Sequence, residues 1–65
     1  MKNVKVSVIL KELHKDGWYL DTIVGDHRQF KHPTKKGKVT VNGKPSISIC
    51  GWLLRSIEEQ SGLKF

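Results

Sequence analysis

His27, followed by Gln29 and Lys31 and then by Lys35, Lys36 and Lys38, is the arrangement in this chain best suited to chemistry. An imidazole exchanges a proton near neutrality, so His27 could take one from a ribose 2′-hydroxyl. Nearby lysines would hold the phosphate and offset the charge that builds on its non-bridging oxygens. The 2′-oxygen would then attack the adjacent phosphorus, the bond to the 5′-oxygen would break, and a 2′,3′-cyclic phosphate and a 5′-hydroxyl would result. No metal ion or cofactor is required for that reaction. Nothing in the sequence marks the acid that would protonate the leaving oxygen.

The charge distribution points the same way. From His27 to Lys44 there are six Lys/Arg, two histidines and no acid, whereas the rest of the chain holds six Lys/Arg against six Asp/Glu. The whole net charge of +6 thus resides in 18 consecutive residues. Such a segment suits a polyanion, with Arg28, Gln29, Lys31, Lys35, Lys36 and Lys38 as candidate contacts. The plain alternative is a solvated hairpin that keeps a small protein soluble.

These residues need a scaffold, and 65 residues make one domain with a thin core. Charges interrupt the apolar positions of the first 13 residues, which excludes a secretory leader or a membrane span and points to the cytoplasm. Cys50 is the only cysteine, so no internal disulfide or thiolate zinc cluster is expected. It reads as a small buried side chain.

Val6, Ile9, Leu10 and Leu13 follow helical spacing and predict a first helix over about residues 4–16, with Asn3 or Ser7 as N-cap and Gly17 past its end. His14 falls off the apolar stripe and reads as a surface residue. Trp18 to Val24 reads as a strand, Gly25-Asp26 as a tight turn, and His27 to His32 as a second strand. Pro33 to Gly37 forms a turn before a short strand, Lys38 to Val41. Asn42-Gly43 begins a loop with no further β run after it. Cys50, Leu53, Leu54 and Ile57 predict a last helix ending near Gly62. Trp52 lies at the edge of that stripe, either sealing the core rim or exposed as an anchor for a partner.

The fold class is therefore α+β in the order α-β-β-β-α: a three-stranded antiparallel sheet with both helices on one face. Alternation along the second strand puts Arg28 and His32 on Phe30's side and His27, Gln29 and Lys31 on the other. His27 and His32 lie about 16 Å apart at about 3.3 Å per residue, too far to grip one phosphate or one ion.

The runs Gly17-Trp18-Tyr19-Leu20 and Gly25-Asp26-His27-Arg28-Gln29-Phe30-Lys31-His32-Pro33-Thr34-Lys35-Lys36-Gly37, with the tail Leu54 to Leu63, closely resemble the HicA toxin family over nearly the whole chain. That resemblance implies a small mRNA interferase of a type II toxin–antitoxin pair, with a fold like a double-stranded-RNA-binding domain. It places the family's catalytic histidine on His27. It also implies a HicB-type antitoxin as partner, through which alone DNA would be contacted.

Three departures stand out. Asp26 replaces the family's usual serine and puts a carboxylate beside His27, where it could orient the ring or repel the scissile phosphate. Ile47 to Leu53 replaces a segment more often acidic and then Pro-Gly-Thr, which removes a good N-cap and adds apolar surface. The start of the last helix lacks the lysine cluster of double-stranded-RNA-binding domains, which favours single-stranded mRNA as substrate. A non-catalytic RNA-binding module, disabled by Asp26, and a protein-interaction domain with an acidic partner are the competing readings.

Overall fold

The computed structural model describes residues 2–65. The elements run β1 (Val4–Lys5), α1 (Val6–Lys15), β2 (Tyr19–Val24), β3 (His27–Lys31), β4 (Val39–Asn42), β5 (Ser48–Ile49) and α2 (Gly51–Ser61). Strands β2, β3 and β4 form an antiparallel sheet in that order, so the expected α-β-β-β-α frame is present. Its inner face joins Phe30, Val39 and Val41 to Ile9 and Leu13 of α1, to Leu54 and Ile57 of α2, and to Trp18 in one core.

Two corrections concern the ends of the helices. Val4 and Lys5, expected within the first helix, instead form β1, which pairs antiparallel with β5. The β run excluded after Asn42-Gly43 therefore exists. Neither Asn3 nor Ser7 caps α1. Lys5 occupies the N-cap position without a side-chain hydrogen bond, and the Val6 and Ser7 amides donate to the carbonyls of Ile47 and Pro45 at 2.9 and 3.1 Å. Backbone of a distant loop thus does what a capping hydroxyl does elsewhere.

At the other end of the chain, α2 buries Leu54, Ile57 and Ser61. Cys50 is exposed, against the expectation of a buried thiol. Leu53 remains 44% exposed and Trp52 77%, so Trp52 seals no core rim. The buried stripe runs Leu54, Ile57 and Ser61, and Ser61 is buried with its hydroxyl satisfied, donating to the Glu58 carbonyl and accepting from the Leu63 amide. Gly62 ends the helix in the left-handed region, as expected.

The β2–β3 hairpin turns on Gly25 and Asp26. Gly25 has φ +58° and, among the described residues, no non-glycine has positive φ, the pattern of a type II′ turn with glycine first. Asp21 is an extra residue in β2, where the register slips between Leu20 and Thr22. The bulge sends Ile23 to the side of Arg28 and leaves Thr22 and Val24 opposite Gln29 and His27.

Candidate functional site

The sheet's outer face carries His27, Gln29 and Lys31 on β3, flanked by Tyr19, Thr22 and Val24 on β2 and by Thr40 and Asn42 on β4. His27 is exposed at the start of its strand, directly between Val24 and Asn42. Lys31 lies about 13 Å further along at about 3.3 Å per residue, opposite Tyr19. The alternation expected from sequence holds here, because Phe30 is buried and its neighbours in sequence face outward.

The other members of the basic segment separate into supporting and free groups. Arg28 lies on the inner side, where its Nη1 donates to the Gly43 carbonyl at 2.6 Å and braces the far end of β4. Lys35 turns back on the body of the protein. Its Nζ donates to Asp16 Oδ2 at 2.5 Å and to the Ser61 carbonyl at 3.2 Å, tying the loop after β3 to the ends of both helices. Lys31 lies 3.7 Å from Asp21, a partly exposed pair that costs little to open. Lys36 and Lys38 are exposed and make no ion pair among the described residues.

His32 does structural work. Its Nδ1 accepts the amides of Thr34 and Lys35, both at 3.1 Å, which assigns the proton to Nε2; that nitrogen donates to the Asp16 carbonyl at 2.6 Å. The ring meets Trp18 edge-on with centroids 5.1 Å apart. Gly17 is required beneath it. Its φ is +102°, and a Cβ there would sit 2.9 Å from His32 Nε2. One histidine is thus exposed on the outer face while the other locks the lysine loop to α1.

The Lys35 ammonium, hydrogen-bonded to Asp16, holds that carboxyl below the usual carboxylate range; partial desolvation opposes this, and the ammonium's field, Trp18 and His32 add to it. A carboxyl depressed in the folded state gives stability that is complete above its unfolded pKa, about 3.9, and lost as pH falls through the lower folded value. Asp16→Asn should therefore melt lower than the native chain at pH 6. The gap should narrow only as pH falls below about 4, where the unfolded chain's carboxyl takes up its proton, and close below the lower pH at which the native carboxylate does so. Thermal melts of both proteins between pH 2 and 7 check this.

Among the described residues no three His, Cys, Asp or Glu side chains gather to hold a metal ion, and no helix is long and apolar enough to cross a membrane. Tyr19 is an outer-face residue beside Lys31 that the sequence did not single out. It is half exposed, and the signal for it was an aromatic side chain at the open end of a strand.

Fold and site together define a small basic α+β protein that presents one histidine on an uncovered sheet face. Residues 7–63 match the HicA toxin of bacterial toxin-antitoxin systems, and the chain belongs to that family. No curated protein is a significant match.

Proposed function

We propose that the chain is the toxin of a type II toxin–antitoxin pair, a metal-independent endoribonuclease that cleaves mRNA in the cytoplasm and so blocks translation. His27 acts as general base on a ribose 2′-hydroxyl, and a HicB-type antitoxin restrains it. The observation that carries this reading is the exposed His27 on the same outer face as Gln29 and Lys31. An RNA strand laid along β3 passes His27, Gln29 and Lys31 in turn. Its base near Lys31 can stack on Tyr19, a contact worth about 1–3 kcal/mol per base. Lys36 and Lys38 extend the positive field, while Arg28 and Lys35 serve by holding β4 and the lysine loop in place.

The test is incubation with single-stranded RNA in EDTA, with the product ends mapped. Products with 2′,3′-cyclic phosphate and 5′-hydroxyl ends are expected. Asp26, exposed in the turn immediately before His27, favours one second reading, an RNA-binding module whose chemistry a carboxylate suppresses. RNA bound without products, and products restored by Asp26→Ser, would select it.

A further inference from the structure

Of the sheet's two outer edges, the one formed by β4 lies beside an apolar groove, and edge and groove fit a single occupant. Among the described residues, strand β4 pairs with β3 only. The Arg28–Gly43 contact and the Gly43 amide donating to the Asp26 carbonyl anchor its far end. The Thr40 amide donates to Gln60 Oε1 at 3.0 Å and so points away from β3. In an antiparallel ladder such groups alternate, so the amide and carbonyl of Asn42 face outward as well. With the Thr40 carbonyl they form a row open to an added strand, which would also take the Thr40 amide from the Gln60 side chain that now holds it.

Alongside this edge runs a groove of about 480 Å³ between β4, the β5 segment and α2, and among the described residues no charged one lines it. Ile47, Leu53 and Trp52 stand around it, 46%, 44% and 77% exposed. A tryptophan this exposed next to open strand edges is the residue type that dominates buried interfaces. Exposed lysines bracket the edge, Lys38 just before β4 and Lys44 two residues after it.

We infer that this edge and groove receive an extended segment of the antitoxin, apolar at alternate positions and acidic at its ends, added to β4 as a fourth strand. Backbone groups of Thr40 and Asn42 pair with it, its apolar side chains enter the groove against Trp52 and Leu53, and its acids meet Lys38 and Lys44. A second copy of this chain is the poorer occupant, because two proteins of net charge +6 would bring like charges together along the edge. The added strand lies two strand spacings, about 10 Å, from the one that carries His27. The antitoxin's body is thereby placed beside the RNA path. The inference rests on the toxin–antitoxin reading and specifies where and how the partner binds.

The test uses the full-length toxin and its purified antitoxin, with Trp52→Ala, Leu53→Asp and amide exchange of the complex. Each substitution is expected to weaken binding about 30-fold or more, to leave RNA cleavage by free toxin unchanged, and to keep the fold, since both side chains are substantially exposed. The Asn42 amide should exchange more slowly in the complex. Antitoxin affinity unchanged in both variants would overturn the inference. So would an Asn42 amide that gains no protection, which would mean a groove filled by something other than a strand. Self-association of the free toxin, lost in the same variants, would assign the surface to a second copy instead. Wild-type toxin that binds no antitoxin at all would remove the toxin–antitoxin reading itself, a failure distinct from altered groove variants.

Discussion

Replacing His27 by alanine is expected to abolish RNA cleavage and leave the fold intact. The ring is exposed at the strand's start and makes no side-chain hydrogen bond within the protein among the described residues, so its loss should change stability by about 0.5 kcal/mol or less. General base catalysis contributes typically about 10²–10⁴-fold. No other histidine can substitute. His32 is on the other face with both ring nitrogens committed to backbone, and His14 is exposed on α1. The measurement pairs initial cleavage rates with a thermal melt of each protein. Full-rate cleavage by a folded His27→Ala protein would take His27 out of the mechanism and move attention to Tyr19 and Lys31.

The outer face was legible because a strand imposes a period of two. Once Phe30 is assigned to the core, His27, Gln29 and Lys31 have only one side left to occupy, and the register with β4 bears this out. Spacing could not reveal contacts between distant segments. Lys35 looks like its neighbour Lys36, yet it folds onto an aspartate 19 residues earlier. The β1–β5 pair has two residues on each side, too few to show any period. Helix α2 misled for a different reason. Cys50, Leu53 and Trp52 form a second apolar cluster beside Leu54 and Ile57, and a helical wheel cannot tell an inward stripe from one kept for a partner. Ser61 belongs to the inward stripe, and its hydroxyl is satisfied there by hydrogen bonds that exist only after folding.

Trp18→Ala should be the most damaging single truncation for the fold, and its effect should reach the site through His32. Trp18 is 1% exposed and the largest fully buried side chain. Its amide donates to the Leu13 carbonyl and its Nε1 to Asp16, and its ring supports the edge of His32. Truncating a buried aromatic to alanine costs about 3–5 kcal/mol. Folded domains have roughly 5–15 kcal/mol in total, and one this short sits toward the low end. A loss of most of the domain's stability is therefore expected, measured by urea titration at 25 °C. The same cavity removes what holds His32 against Gly17, so the hydrogen bonds from Thr34 and Lys35 to its ring should loosen first. Amide exchange at those two residues should rise by more than global unfolding accounts for, while exchange in α2 tracks the global value. Equal acceleration at all amides would mean that Trp18 supports the core alone, and that the lysine loop keeps its place without the His32 ring.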